Sequence, residues 1–203
     1  TLAGQGVFPP AAGAQLEEGI LSHRLQALQL QLDRLGRCSR QGTQLMAGDI
    51  QVVVQPGRFT PRGLMRGWLQ HLRLCAESAD FGGSAVIARA DKGDDAKTHV
   101  RWGRLEPAEA QAQLLTLQRL VQQGQHQCWP VPPRSGWLLM SKEHNNAGSG
   151  VAAFHDSWIL ERQDPQQRLC FGAEAEADQL LQSPGFEQAC ALLYKPMLQA
   201  LAL

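Results

Sequence analysis

Between Gly48 and Glu77 the hydrophobic pattern changes its period. Apolar side chains first crowd together at Ile50, Val52, Val53 and Val54, Gln55-Pro56-Gly57 interrupts them, and after Thr60-Pro61 they return at helical spacing. The pattern predicts a strand, a break and a helix. Thr60 suits the N-cap, where its hydroxyl accepts from an amide of the first turn, and Pro61 suits the first helical position, where a missing N–H costs nothing. Leu64, Trp68, Leu72 and Cys75 then follow at steps of four, four and three, and Met65 and Leu69 widen the stripe. One face of this helix is expected to be buried.

The flanking chain restricts the fold further. Ala14 to Leu35 is the strongest helical pattern, with Leu21, Leu25, Leu28, Leu32 and Leu35 along one face and Gly36 ending it, so residues 14–36 are expected to form a long leading helix. Its leucines suit packing onto their own domain better than a dimer zipper, because two heptads are few for a coiled coil. Arg37 to Gly42 reads as a polar connector. Ser84 to Ala90 reads as a buried strand, Asp91-Lys-Gly-Asp-Asp95 as a turn, and Lys97 to Trp102 as the return strand of a hairpin with Thr98, Val100 and Trp102 on one face. Trp68 and Trp102 are expected to meet.

Pro107 opens a helix ending at Gly124, with Ala110, Leu114, Leu117 and Val121 inward. Gln125 to Ser135, which holds Trp129-Pro-Val-Pro-Pro133, is expected to be extended, with a further helix from near Ser135. Lys142 to Gly150 reads as a flexible loop, Ala152 to Glu161 as a helix, and Arg168 to Phe171 as a short extended piece. Ser183-Pro184 is expected to cap a last helix with Phe186, Ala189, Cys190 and Leu193 inward, and Pro196 to kink or break it. The order of elements predicts an α/β class: one small mixed sheet flanked by helices, residues 1–203 forming a single domain.

Composition limits what such a domain can do. A chain of 203 residues with 43% hydrophobic content buries one substantial core. The formal net charge is zero, whereas a domain that grips nucleic acid through phosphates alone carries a basic excess. No apolar run approaches a membrane span. The five cysteines, Cys38, Cys75, Cys128, Cys170 and Cys190, are odd in number and mostly set among apolar residues, which predicts reduced, buried thiols in a cytoplasmic protein. The chain begins at Thr1 without a signal peptide and reads as a piece of something longer.

Motifs for chemistry are scarce. The six histidines form no HExxH pair, and the two-residue spacing of His126 and Cys128 is weak evidence for zinc. There is no GxxxxGK[ST], and Gly4-Gln5-Gly6 runs into prolines, so ATP binding is not expected. Asp91, Asp94 and Asp95 suit a turn better than a calcium loop, and Ser149 lacks the strand and helix of a nucleophile elbow. Arg58, Arg62, Arg66 and Arg73 recur at four, four and seven residues and are expected to share one exposed face. That face is either simply solvated or a contact for phosphate or a partner protein, since guanidinium groups bond anionic oxygens in pairs.

The segment Pro56-Gly-Arg-Phe-Thr-Pro-Arg-Gly-Leu-Met-Arg-Gly-Trp-Leu-Gln-His-Leu72 resembles the signature near the C-terminus of the exodeoxyribonuclease V gamma subunit family, RecC. Further blocks follow in the family's order: Leu105-Glu-Pro-Ala-Glu-Ala110, Gln123-Gly124 with Trp129-Pro-Val-Pro-Pro133, Asp164-Pro165 leading to Arg168-Leu169-Cys170-Phe171-Gly172, and an ending with Leu193-Tyr194-Lys195-Pro196-Met197-Leu198. Each block alone is weak, but together they cover nearly the whole chain.

The resemblance implies a C-terminal domain with the fold of the PD-(D/E)XK nucleases but without their active site, in a bacterial ATP-dependent helicase–nuclease that repairs double-strand breaks. Its partners would be the sister subunits RecB and RecD and, through the assembled complex, duplex DNA. Magnesium and ATP are implied for the sister subunits and no cofactor for this chain. Aligning the Gln55-Pro56-Gly57 turn with the nuclease turn puts Val53 where the family of active enzymes has an acid and Gln55 where it has a lysine. No catalytic residue and no metal ligand is therefore expected, and Asp49 is the nearest carboxylate. The other readings are an autonomous metal-dependent nuclease and an α/β interaction module of unrelated function. The family also implies a further strand between the first helix and the central strand. Only Cys38 to Ala47 is available for it, which suggests that residues are missing there.

Overall fold

The computed structural model describes residues 12–90, 92–93, 95–126, 129 and 131–202. Asp91, Asp94, Cys128 and the Gly4-Gln5-Gly6 stretch lie outside the described residues. The chain divides into two compact units, one of residues up to Phe59 with Gly82–Arg101, the other of Thr60–Phe81 with Trp102–Leu203.

The first unit is a helix on a sheet. Helix α1 (Ala12–Leu35) is followed by β1 (Cys38–Gln41), β2 (Gln44–Ala47), β3 (Ile50–Arg58), β4 (Gly83–Arg89) and β5 (Ala96–Gly103), whose last two residues belong to the second unit. The strands lie in the order β1-β2-β3-β4-β5. β1 pairs antiparallel with β2 and β2 with β3, while β3 and β4 run parallel, so the sheet is mixed, as the sequence predicts. Parallel pairing demands a long connection, and the residues between β3 and β4 contain α2 (Pro61–Glu77).

Arg37 to Gly42 is not simply a polar connector: Cys38 to Ala47 form the β1–β2 hairpin. What makes this possible is two loops of two residues, each opening on a glycine at positive φ, Gly42 at 60° and Gly48 at 65°, the backbone a tight hairpin needs. The strand β3 also runs through Pro56-Gly57 instead of stopping at Gln55. Gln55 pairs with Ala88 and Arg58 with Arg89, so two residues are extruded from β3 against none on β4. A proline without an N–H is tolerated at such an irregularity.

Leu28, Ala47, Val52, Ile87 and Ala96 form a buried cluster in this unit, joined by Leu32, Leu35 and Val54. The leucine face of α1 is thus covered only from Ala27 onward. Leu21 and Leu25 are 43% and 65% exposed, because the N-terminal half of the helix runs beyond this cluster.

The second unit is helical: α2, α3 (Pro107–Gly124), α4 (Pro133–Asn145), α5 (Gly150–Glu161), α6 (Pro165–Phe171), α7 (Ala177–Leu181) and α8 (Phe186–Gln199). α2 packs on α3, α4 on α5, and α8 on α4. Several expectations are corrected here. The 142–150 segment is mostly helix, and only residues 146–149 separate α4 from α5. Arg168 to Phe171 is helical because Asp164 caps α6, its side chain accepting from the Gln166 amide at 2.8 Å, with Pro165 first in the helix. In α3, Leu120 is buried and Val121 is 66% exposed. The last helix is preceded by Gly185 at φ 80° instead of by Ser183-Pro184, and α7 was not foreseen.

Pro196 does not end α8 either. An interior proline costs a helix about 3 kcal/mol. Burial of Tyr194, Met197 and Leu198 on either side offsets this cost. The indole N–H of Trp102 also donates to the Met197 carbonyl at 3.0 Å, anchoring that turn.

Candidate partner and nucleic-acid interface

The candidate surface is built on α2. Its start is as the sequence predicts: the Thr60 hydroxyl accepts from the Gly63 amide at 3.1 Å, and Pro61 occupies the first helical position. Leu64, Trp68, Leu72 and Cys75 are buried, joined by Gly67 and His71. Leu69 is 42% exposed, so the stripe widens toward His71 and not toward Leu69.

The buried side of α2 is an aromatic cluster. Trp68 meets Trp102 with ring centroids 5.1 Å apart, as expected. His71 lies 5.2 Å from Trp68 and 5.5 Å from both Phe81 and Trp102. Its Nε2 is 3.5 Å from the Cys75 sulfur, which also accepts from the Leu105 amide at 3.4 Å. Burial lowers the His71 pKa to about 4, against a hydrogen bond to the Gly103 backbone that raises it. Burial likewise pushes the Cys75 thiol up, so both groups are neutral at neutral pH.

The opposite side of α2 is basic. Arg62, Arg66 and Arg73 are exposed on the helix. Arg58 is not with them on the helix: it stands exposed at the end of β3, in the first unit, beside Phe59, which stacks on His99 at 4.6 Å. Arg62 donates to the side-chain carbonyl of Gln166 and lies 3.7 Å from the Asp164 carboxylate. Arg73 lies 3.7 Å from Glu77, one turn on. These exposed pairs contribute about 0–1 kcal/mol each.

Around Arg62 the starts of α2, α4 and α6 converge on a cavity of about 290 Å³, lined also by Arg134, Glu161 and Gln167. Each start is already satisfied. Thr60 caps α2 and Asp164 caps α6, while Glu161 accepts from the amides of Arg134 at 2.8 Å and Ser135 at 2.6 Å and from the Ser135 hydroxyl at 2.7 Å. The cavity therefore joins three helices by mutual capping. Glu161 and Arg134 were not singled out in the sequence. The proline at the first position of α4 was the available signal.

At the two positions that the sequence alignment compares with a nuclease's acid and lysine stand a valine and a glutamine. Val53 pairs with Val86 and Gln55 with Ala88, and neither β3 nor β4 contains an Asp or Glu. Asp49 lies exposed in the β2–β3 turn, its carbonyl accepting from the Gly82 amide at 2.9 Å. Among the described residues no group of three or more His, Cys, Asp or Glu is placed to hold a metal. Among them, too, Cys75 and Cys190 are buried and Cys38 is half-buried, but Cys170 is exposed, contrary to the expectation of buried thiols. No helix among these residues is long and apolar enough to cross a membrane.

No curated protein matches the chain. The family described as the RecC C-terminal domain matches residues 2–144, a span that takes in the whole sheet, the α2 motif and the helices through most of α4. Matched over more than half of its length, the chain belongs to the RecC C-terminal domain family, that of a component of the RecBCD complex.

Proposed function

We propose that this chain is a non-catalytic scaffold domain of the gamma subunit of the helicase–nuclease that processes double-strand breaks. In this reading it has a nuclease-like fold without an active site, packs against the sister subunits RecB and RecD, and helps hold or split duplex DNA as it enters the complex. The observation that carries the reading is the chemistry of the parallel pair β3 and β4, which offers Val53 and Gln55 and no carboxylate on either strand. Hydrolysis of a phosphodiester by bound magnesium needs carboxylates to hold the ion and a group to orient the attacking water. Loss of one member of such a set strands the rest.

The exposed arginines supply the DNA part of the reading. Arg66 makes no ion pair among the described residues, and Arg62 and Arg73 make only exposed ones, so all three are available to phosphate at little cost. Reversing Arg58, Arg62 and Arg66 to Glu in the assembled complex should weaken duplex binding, more at low salt than at high. Binding unchanged from the parent at both salt concentrations would return these residues to a solvated surface. Linear duplex incubated with the chain and magnesium should stay intact. Magnesium-dependent nicking abolished by Asp49→Ala would overturn the scaffold reading.

A further inference from the structure

The helices α4, α5, α7 and α8 enclose a cavity of about 440 Å³ that has no part in the α2 surface. Its wall is apolar, from Leu139, Met140, Val151 and Phe186, with the Cys190 sulfur also lining it. The floor is buried: Phe186 stands edge-on to Phe154 at 5.4 Å, and Cys190 is fully buried. Val151, by contrast, is 50% exposed, so apolar surface faces solvent at the mouth.

Two carboxylates edge this apolar space, Glu143 and Glu187. Neither makes an ion pair among the described residues. Glu143 accepts from the Gly148 and Gly150 amides at 2.9 and 3.1 Å, which fixes its position, while Glu187 is exposed in the first turn of α8. The charge of Glu187 is felt inside the cavity, where it adds to burial in pushing the Cys190 thiol up to about 12. The thiol stays neutral, so the lining holds negative charge only at its edge.

An apolar recess edged by fixed negative charge is complementary to a long aliphatic stem ending in a cation. We propose that the cavity bounded by Leu139, Met140, Val151 and Phe186 and edged by Glu143 and Glu187 receives an arginine or lysine side chain, flanked by apolar residues, from a partner protein. The proposal rests on the scaffold reading in taking that segment from a sister subunit. Nucleic acid is disfavoured there, because two carboxylates repel phosphate. Burial of a paired side chain at the centre of a contact is the arrangement that carries most of the affinity of an interface.

The test measures binding of purified sister subunits to the chain and to its Glu187→Lys and Val151→Glu variants. Glu187 is exposed and makes no side-chain hydrogen bond among the described residues, so Glu187→Lys should fold like the parent. The expected result is a loss of affinity of about tenfold or more for each variant, with Glu187→Asp close to the parent. Parent-like binding by both variants would overturn the proposal while leaving the scaffold reading intact, and failure of the parent itself to bind would instead remove the scaffold reading. Titration with n-butylguanidinium, followed by amide NMR shifts, tests the cavity apart from any partner. Saturable shifts at Val151 and Glu187 that weaken with Glu187→Gln support the assignment. Equal shifts with n-butanol would sink it.

Discussion

Acidification should destabilise the second unit through a single residue, His71. The imidazole is fully buried within 5.5 Å of three aromatic rings, and burial lowers its pKa from 6.5 to about 4. Between those two values the unfolded chain binds a proton that the folded chain refuses. The stability due to this group is therefore complete above the unfolded pKa and is lost as pH falls toward the folded one. At about 1.4 kcal/mol for each pKa unit, lowering the pH from about 7.5 to about 4.5 should cost about 2–3 kcal/mol. Urea unfolding followed by circular dichroism at both pH values measures the loss, and His71→Phe separates it from the carboxylates, which titrate alike in both proteins. The variant keeps a ring beside Trp68 and Trp102 but has nothing to protonate, so its stability should fall less by that amount. An identical pH dependence in parent and variant would refute the reasoning, since burial would then not be holding the imidazole neutral.

Two packing predictions follow from neighbouring geometry. Trp68→Ala should cost about 3–5 kcal/mol, because its ring is 1% exposed and meets both Trp102 and His71; a melting temperature within a degree of the parent would contradict the inward stripe. Gly136→Ala should destabilise by about 1–3 kcal/mol in chemical unfolding, since an added Cβ would lie 2.7 Å from Val131 Cγ1 and 3.2 Å from the Tyr194 ring, both buried; an unchanged midpoint would show that α4 and α8 separate freely.

The features legible in the sequence were those fixed by neighbours a few residues apart. The cap at Thr60 and the stripe through Leu64, Trp68, Leu72 and Cys75 depend on contacts within one or two turns, and both are present. The alternation in β5 held only toward its end, burying Val100 and Trp102 while Thr98 stays exposed, and with α2 amphipathic on one side this brought the two tryptophans together. The family blocks up to Pro133, which fall within the matched residues 2–144, were legible for the same reason, as local runs of sequence.

What only the tertiary structure decided was coverage. Leu21, Leu25, Leu28, Leu32 and Leu35 of α1 obey one spacing, yet Leu28 is buried and Leu25 is exposed, because the strands beneath come from residues later in the chain. Leu120 and Val121 are adjacent on α3, and which one faces inward is decided by what the rest of the fold packs against that helix. Pro56 and Pro196 read locally as breaks, but β4 on one side of the first and the burial around the second hold the elements continuous. The same holds for the candidate surface: Arg62 is spaced like Arg66, but only Arg62 reaches Asp164 and Gln166, about a hundred residues later. Periodicity specifies which side chains share a face, while the free energy of burying or pairing that face depends on atoms brought there by the rest of the fold.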